Sequence, residues 1–545
     1  MGRTDGWESV LNSAHGALAT RPSSSDLSAR YRPRSGAVLM TGVQAIARQI
    51  AEQHERDRLA GLKVATFVSG YQGSPLAGLD RTLAGVPELE RDHNMHLVPG
   101  LNEELAVTSV WGSQIDLPEG KRTHDGVVGV WYGKGPGVDR AGDAIKHATM
   151  YGANARGGVL VLAGDDPHAK SSTLPCASER SLAAMGTPVF FPRNAEEIVA
   201  FGLYGVTLSR ASGCWSSIKI VSDVADGLWT LDRDFTDFEI VVPKIEWEGY
   251  PWQYQQRILA APADSLLAEA DMVGPRWKMV EAFNAANEID RIEVDPTEAW
   301  IGIAAVGTAY DTLRQSLAEL GLDNDGAIAA AGIRILRIGM PFPLGADRVQ
   351  RLAQGVAQLL VVEEKASFAE GQMREILCGT VDTPTIMGKK GFNGARLIPA
   401  DGELTAERLI APLRVVLNDR VVLRPPPPPR LDLTVLPAQR AAYFCSGCPH
   451  NRSTAVPDGS LAGGGIGCHT LVTMSDRTDS KVTTLTQMGG EGAQWIGQAA
   501  FTDVPHIFQN VGDGTYFHSG QLDYRPVSLR ASTLRTRCCI TRWSP

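Results

Sequence analysis

Cysteine, positive charge and long apolar runs are all scarce in this sequence. Only 8 of its 545 residues are cysteine, which excludes a small disulfide-bonded scaffold. No stretch of about 18 apolar residues occurs, and residues 1–35 lack the apolar core of a signal peptide, so neither a membrane span nor a secretory leader is expected. Basic residues number 52 against 61 acidic ones. The charge balance predicts a protein that acts on small molecules, with no nucleic-acid or membrane partner, and the lack of a leader and a span predicts a cytoplasmic location.

The hydrophobic residues, which make up 43% of the chain, follow alternating helical and strand-like patterns. Their spacing predicts helices over 42–58 and 138–151, and short apolar runs predict strands at 63–69, 126–132 and 158–164. Strands that are separated by helices form parallel sheets with helices on both faces. The sequence therefore predicts an α/β fold with several parallel-sheet domains.

Changes in composition divide the chain into seven segments. The stretch after residue 243 is rich in helix formers and lacks strand-like runs, and the prolines at 425–429 mark a stiff linker. The expected segments are, in order, an N-terminal extension (1–35), a first α/β domain (36–243), a helical linker or insertion (244–296), a second α/β domain (297–420), a Pro-rich linker (421–440), the start of a third domain with a cysteine cluster (441–521) and an aberrant tail (522–545).

A Gly-Asp-Gly turn follows a predicted apolar strand at 504–509. It consists of Gly512, Asp513 and Gly514. Glycines let backbone N–H groups approach phosphate oxygens, and a carboxylate is a hard ligand for Mg²⁺. The turn therefore indicates a diphosphate–metal site, although the same tripeptide also occurs as an ordinary turn.

Three cysteines lie close together in the third domain. Cys445 and Cys448 stand in CSGCPH, and Cys468 follows in GGGIGCH. Three thiolates can hold three corners of a 4Fe–4S cluster. The alternative is a structural zinc site in which His469 completes a set of three cysteines and one histidine.

Two further turns carry polar residues near predicted strands and helices. Gly73 and Ser74 follow the strand at 63–69, where the Ser hydroxyl could hold a substrate carboxylate, although turn chemistry alone also explains Gly-Ser-Pro. Glu103 and Glu104 begin an apolar helix, where the helix dipole by itself favours acidic residues. Each pair is therefore a candidate for catalysis, and ordinary turn or helix-start chemistry is the alternative explanation.

Eight sequence strings follow one another along the chain: TGVQAIARQIAEQ, YQGSPLAGLD, GVWYGKGPGVDRAGDAIKHA, LAGDDPHAKSS, FCSGCPHN, GGIGCH, TQMGGEG and QNVGDGTYFHSG. Together and in this order they resemble the thiamine diphosphate-dependent 2-oxoacid:ferredoxin oxidoreductases, and most closely the long fused bacterial form of indolepyruvate ferredoxin oxidoreductase. The resemblance covers most of the chain from about residue 40 onwards.

The resemblance implies three thiamine-enzyme domains: a pyrimidine-binding domain at 36–243, a transketolase C-terminal-like domain at 297–420 and an incomplete diphosphate-binding domain at 441–521. It implies that Asp513 holds Mg²⁺ between Gly512 and Gly514, and that Glu103 hydrogen-bonds the aminopyrimidine ring of the cofactor. Gly73 and Ser74 would lie near the cofactor and the substrate carboxylate. The cysteines named above would bind the proximal 4Fe–4S cluster.

The implied reaction is the oxidative decarboxylation of an aryl 2-oxoacid such as indolepyruvate, through a thiamine diphosphate enamine. Electrons would pass through the iron–sulfur cluster to ferredoxin, the acyl group would pass to coenzyme A, and the full-length enzyme would be a homodimer. A non-oxidative 2-oxoacid decarboxylase is the alternative enzyme, since it has no use for the cysteines. A zinc-stapled, partner-binding remnant is the non-enzymatic alternative.

The chain departs from the family pattern after about Gln521. The thiamine motif should end with an Asn that gives Mg²⁺ a second ligand, but no Asn follows Asn510, and the Arg-rich tail shows no helical or strand period. The tail resembles out-of-frame translation. We therefore expect an incomplete, inactive chain whose third sheet has an unpaired edge and which binds little or no thiamine diphosphate.

Overall fold

The computed structural model describes residues 27–33, 36–118, 120–170, 172–257, 261–426 and 442–520, together with the backbone of 534–539. The chain divides into two compact units. Unit 1 comprises Met1–Val98 and Val107–Leu423, and unit 2 comprises Pro99–Ala106 and Arg424–Pro545. Most of the predicted N-terminal extension, Pro-rich linker and aberrant tail lie outside the described residues.

The first sheet of unit 1 is built from six parallel strands, as predicted for this part of the chain, and two further strands, which flank it in sequence, pair with each other. These eight strands are, in chain order, β1 (Val38–Thr41), β2 (Val64–Gly70), β3 (Met95–Leu97), β4 (Gly126–Lys134), β5 (Val159–Asp165), β6 (Val189–Phe190), β7 (Ser216–Val221) and β8 (Leu228–Leu231). The sheet has the order β3-β2-β4-β5-β7-β6, and β1 pairs separately with β8. Every residue of β5 and β7 is buried, because helices cover both faces.

Nine helices accompany these strands in the described residues. They are α1 (Gly42–Leu59), α2 (Leu79–Ala84), α3 (Pro87–Arg91), α4 (Glu103–Ser113), α5 (Gly135–Arg140), α6 (Gly142–Tyr151), α7 (Glu179–Ala184), α8 (Ala195–Ser212) and α9 (Ser222–Asp226). The helix predicted over 42–58 is confirmed as α1, which Thr41 and Gln44 begin with a capping box. The single helix predicted over 138–151 is wrong. Pro136 is accommodated in the first turn of α5, and the chain leaves helical geometry at Ala141 before α6 begins.

The segment that follows is only partly helical. It contains β9 (Ile245–Trp247), β10 (Tyr250–Trp252), α10 (Pro262–Asp271) and α11 (Trp277–Ala286). Glu248 and Gly249 both have positive φ, which is the geometry of a two-residue hairpin turn, so β9 and β10 pair as a hairpin. The expectation that residues 244–296 lack strands is therefore wrong.

The second sheet of unit 1 has five strands and its own helices. The strands are β11 (Arg291–Val294), β12 (Ile301–Val306), β13 (Ile333–Ile338), β14 (Gln358–Val362) and β15 (Thr385–Met387), and the helices are α12 (Ala309–Glu319), α13 (Asp325–Ala330), α14 (Ala346–Ala353), α15 (Ala369–Ile376) and α16 (Ala406–Leu417). The order is β11-β13-β12-β14-β15, with β11 alone antiparallel. One apolar core joins both sheets of unit 1, since it includes Phe190 from the first and Leu336 from the second.

Unit 2 contains a four-stranded parallel sheet with the order β17-β16-β18-β19. Its elements are α17 (His450–Ser453), β16 (Leu461–Gly464), β17 (Val482–Leu485), α18 (Ala493–Gln498), β18 (Ile507–Gly512), α19 (Asp513–Thr515) and β19 (Leu534–Cys539). The strand predicted at 504–509 begins later because Pro505 has no N–H for a sheet. The predicted unpaired edge of β18 is wrong, because β19 pairs with all six of its residues. None of the described helices has the length and apolar character needed to cross a membrane.

Candidate functional site

Three glycine-rich turns lie at one edge of the sheet in unit 2. Gly465-Ile466-Gly467 follows β16, Gly489-Gly490 follows β17, and Asp513-Gly514 follows β18. Because these strands are parallel neighbours, their carboxyl ends meet at the same edge, which is where open α/β sheets bind ligands. The glycines are required there: a Cβ on Gly465 would lie 2.2 Å from Glu491 Oε1.

Glu491 ties two of these turns together. It is 1% exposed, its Oε2 accepts the N–H of Gly489 at 2.7 Å, and its Oε1 accepts the N–H of Ile466 at 3.4 Å. The carboxylate thus holds the turns after β16 and β17 in one arrangement. The backbone at this edge is fixed before any ligand binds.

Two buried polar side chains beside these turns have atoms with no hydrogen-bond partner among the described residues. Asn510, near the end of β18, is fully buried, and both its amide oxygen and its amide nitrogen are without a partner. His469 Nε2 accepts the N–H of Gly465 at 3.1 Å, whereas its Nδ1 has no partner. Burial and then the nearby His450 lower the pKa of His469 to about 4, so the ring is neutral and Nδ1 carries its proton. Buried polar groups of this kind normally have partners, which indicates a polar ligand or water here.

Asp513 is the first residue after β18 and is half-buried. Its Oδ1 accepts the N–H of Gly514 at 2.9 Å. A carboxylate held at the end of a parallel strand, next to glycine N–H groups, is a suitable ligand for Mg²⁺. Gly512, Asp513 and Gly514 therefore lie where the sequence predicted a diphosphate–metal site, which stays a prediction.

Glu103 belongs to the same unit as Asp513, although the two are distant in sequence. It begins α4, is 5% exposed, and its Oε2 lies 2.6 Å from His518 Nε2. Asn102 holds this end of α4 in place: its Oδ1 accepts the N–H of Leu105 at 2.9 Å, and its Nδ2 donates to the backbone oxygen of His518 at 3.2 Å. Glu104, in contrast, is exposed. The structure thus distinguishes the two glutamates, which the helix-start pattern by itself did not.

His518 is the functional candidate that the sequence analysis missed. It is 3% exposed, and its Nδ1 lies 2.7 Å from Ser519 Oγ. An ionised carboxylate only accepts hydrogen bonds, so the Nε2 beside Glu103 is the protonated nitrogen. The available signal was the position of His518 shortly after Gly-Asp-Gly, but its partner could not be read from the sequence.

The three predicted cluster cysteines are accessible or partly accessible. Cys445 and Cys468 are exposed, and the Sγ of the half-buried Cys448 lies 3.0 Å from His450 Nδ1. Among the described residues, no compact set of three metal-ligating groups includes any of them. His469 is buried, its Nε2 accepts the N–H of Gly465, and it forms no such set with the described cysteines either, so the zinc alternative also stays a prediction. Thiolates on separate irons of a cuboidal cluster stand farther apart than ligands of one ion, so this arrangement leaves the iron–sulfur prediction open.

Gly73 and Ser74 lie in unit 1, whereas Glu103 and Asp513 belong to unit 2. They follow β2, at the carboxyl edge of the six-stranded sheet. A Cβ on Gly73 would lie 2.8 Å from Lys134 Cδ, so a side chain at this position would displace that of Lys134. Ser74 is half-buried beside it. Its role in holding a carboxylate stays a prediction.

Several known proteins are similar to this chain. A family model described as the indolepyruvate oxidoreductase domain matches residues 291–422. Indolepyruvate oxidoreductase subunit IorA of Methanothermobacter marburgensis is 22% identical over an alignment of 465 residues, which covers 83% of this chain and 68% of that protein. The same subunit of Pyrococcus abyssi is 23% identical over an alignment of 537 residues, which covers 89% of this chain and 71% of that protein. A solved 2-oxoglutarate:ferredoxin oxidoreductase from Magnetococcus marinus shares 15% identity with a TM-score of 0.49, over 70% of this chain and 65% of that chain.

The fold and these matches define an α/β oxidoreductase. Residues 291–422 match the indolepyruvate oxidoreductase domain, and the chain is similar over more than four fifths of its length to indolepyruvate oxidoreductase subunits. It spans about two thirds of the length of the curated relatives that it matches.

Proposed function

We propose that this chain carries the thiamine diphosphate site of an enzyme that oxidatively decarboxylates an aryl 2-oxoacid of the indolepyruvate type. The observation that carries the proposal is the edge of the sheet in unit 2, where Asn510 and His469 present buried polar atoms without partners beside the glycine turns. The names of the curated relatives support the substrate class. Coenzyme A and ferredoxin are the proposed acceptors, and the full enzyme is proposed to be a homodimer.

The residues of unit 2 fit this cofactor. Backbone N–H groups around Gly512 and Gly514 would hold the diphosphate, and Asp513 would hold Mg²⁺. When bound, thiamine diphosphate supplies a nucleophilic carbon and an electron sink for cleavage of the bond to the carboxylate. The protein's part is to place and polarise it.

Glu103 would accept a hydrogen bond from the protonated ring nitrogen of the aminopyrimidine. A buried carboxylate performs this role well, because its charge is poorly screened away from water. His518 donates to the same carboxylate at 2.6 Å and so fixes its orientation. The proton on His518 Nε2 is thereby held against the carboxylate of Glu103.

Three cysteines extend the proposal to electron transfer. Cys445, Cys448 and Cys468 would hold a 4Fe–4S cluster, which a non-oxidative decarboxylase does not need. The roles of Ser74 toward a substrate carboxylate and of Gly73 toward the cofactor stay predictions about unit 1 by itself. The cysteines therefore decide between the oxidative reaction and the non-oxidative alternative.

Calorimetry with thiamine diphosphate tests the proposal. The pairing of β18 with β19 removes one of the two reasons to expect no binding. The other, the missing second Asn ligand, predicts weak but Mg²⁺-dependent binding.

Asp513→Asn should weaken this binding by about tenfold or more, as expected for the loss of a charged ligand (about 1.4 kcal/mol per tenfold). Asp503→Asn, an exposed control in the same unit, should bind like the wild type. Equal binding by all three proteins, or none with Mg²⁺ present, would contradict the proposal.

A further inference from the structure

Three metal-ligating side chains converge in unit 1, away from the site described above. His168 lies in the loop after β5, Asp223 in the first turn of α9 after β7, and Glu403 in the loop before α16. One ligand atom from each lies within 4.8 Å of the others. Bonds of about 2.0–2.2 Å place two ligands of one ion at most about 4.4 Å apart. A small rotation of these side chains would thus bring all three atoms to a single ion.

The imidazole of His168 gives a second indication of a ligand. Its Nε2 is inaccessible to water and lies 2.6 Å from Glu403 Oε2, yet the two atoms lack the geometry of a hydrogen bond. A buried ring nitrogen that contacts a carboxylate without forming a hydrogen bond recovers only part of its desolvation cost. Direct coordination of a cation by both atoms would satisfy the nitrogen and the carboxylate together.

The surrounding charges favour a cation at this position. Asp226 and Glu364 add negative charge beside Asp223 and Glu403. Lys170 Nζ lies 3.7 Å from Asp223, but the lysine side chain is 62% exposed, so it neutralises the cluster weakly.

The protein framework holds the three ligands in place. β5 and β7 are hydrogen-bonded neighbours, so their carboxyl ends are fixed relative to each other. Glu364 Oε1 accepts the N–H of Leu404 at 2.9 Å, which anchors the loop that carries Glu403. Lys365 Nζ donates to the backbone oxygen of Pro167, next to His168. The cluster thus bridges the first sheet and the segment that follows the second sheet within unit 1.

We propose that His168, Asp223 and Glu403 bind a divalent cation of the zinc or manganese class, with water in the remaining positions. One imidazole and two carboxylates form a mixed nitrogen and oxygen ligand set that suits these ions. The ion would join the loop after β5 to the loop before α16. This site is separate from the proposed thiamine diphosphate site and does not depend on it.

Metal counting on the full chain tests the site. The protein is stripped with EDTA and dialysed against Zn²⁺ and, separately, Mn²⁺, and bound metal is measured by mass spectrometry. With at least one of the two ions, the wild type should bind one ion per chain more than His168→Gln or Glu403→Gln. Asp226→Asn removes one neighbouring charge without removing a ligand, and it should bind like the wild type. Counting differences between variants also removes any contribution from zinc bound by the cysteines.

Thermal unfolding distinguishes a metal site from a simple ion pair. Added metal should raise the Tm of the wild type and of Asp226→Asn, but not that of the two ligand variants. In EDTA the wild type, the two ligand variants and Asp226→Asn should each unfold in one cooperative transition. If a ligand variant does not, Asp223→Asn is used in its place. Equal metal content in all the folded proteins with both ions, or an equal Tm response to added metal, would overturn the proposal in favour of an ion pair between His168 and Glu403.

Discussion

The imidazole of His518 lies 2.6 Å from the carboxylate of Glu103, and both side chains are buried. This contact joins the start of α4 to the segment directly after Gly-Asp-Gly. It fixes one oxygen of Glu103 by a hydrogen bond to a charged group, which is about twice as strong as a neutral one. The residue proposed to polarise the cofactor is therefore oriented by the segment proposed to hold its diphosphate.

His518 is predicted to be a positioning residue. His518→Leu removes the donor to Glu103, and we expect proton exchange at C2 of bound thiamine diphosphate to slow by about tenfold, the cost of one hydrogen bond to a charged group. His518→Gln keeps an N–H near the same position and should restore most of the rate. NMR of the exchange in D₂O measures both. A purely structural role would make the two variants equally slow.

The cysteines are predicted to make the protein brown. Protein purified without oxygen should contain iron and sulfide and show broad visible absorption, and Cys448→Ala should lose most of it because one thiolate ligand is removed. Cys378→Ala, which changes an exposed cysteine of unit 1, should keep the colour. Stoichiometric zinc without iron would instead support the zinc alternative.

Asp290 is predicted to be essential for the stability of unit 1. Its Oδ1 accepts the N–H groups of Gly339 and Met340, and its Oδ2 accepts those of Gly345 and Asn284 at 2.8–3.0 Å. Asp290→Asn would turn an NH₂ group toward two of these donors, whichever way the amide faces. We expect a loss of about 2–4 kcal/mol in urea unfolding. An unchanged midpoint would show that the loop adjusts.

Stability is predicted to fall in mild acid because of two facing histidines. His54 Nδ1 and His93 Nδ1 lie 3.2 Å apart. Burial lowers the pKa of both rings, and His54 lowers that of His93 further. The unfolded chain therefore binds more protons below about pH 6.5, and stability is lost as the pH falls through that value.

Tm measured between about pH 7.5 and pH 5.5 tests this explanation. His93→Asn should show a smaller fall in Tm than the wild type. His147→Asn, an exposed control, should show the same fall as the wild type. An equal fall in all three would assign the acid sensitivity to other groups.

The sequence predicted those parts of the fold that depend on local patterns. The strand predicted at 126–132 lies within β4, and α4 begins at Glu103 as predicted, because apolar runs and helix-start residues act over a few neighbours. The β9–β10 hairpin was missed, since its turn uses Glu248 in a left-handed conformation that residue type alone does not indicate.

The contacts that the sequence could not predict join residues distant along the chain. Nothing in the local pattern pairs Glu103 with His518, or brings Glu403 to His168. β19 was also missed, because an edge strand is held by main-chain hydrogen bonds and needs little apolar patterning. Tertiary packing decides all of these features.

The most direct test of the proposed function is the rate at which the C2 proton of thiamine diphosphate exchanges with D₂O in the presence of the chain and Mg²⁺. We predict that the wild type accelerates this exchange, that Glu103→Gln slows it by about 10²–10⁴-fold while binding persists, and that Glu104→Gln behaves as the wild type. The matched pair isolates one buried carboxylate from its exposed neighbour. An equal rate for wild type and Glu103→Gln, or a loss only in Glu104→Gln, would contradict the account.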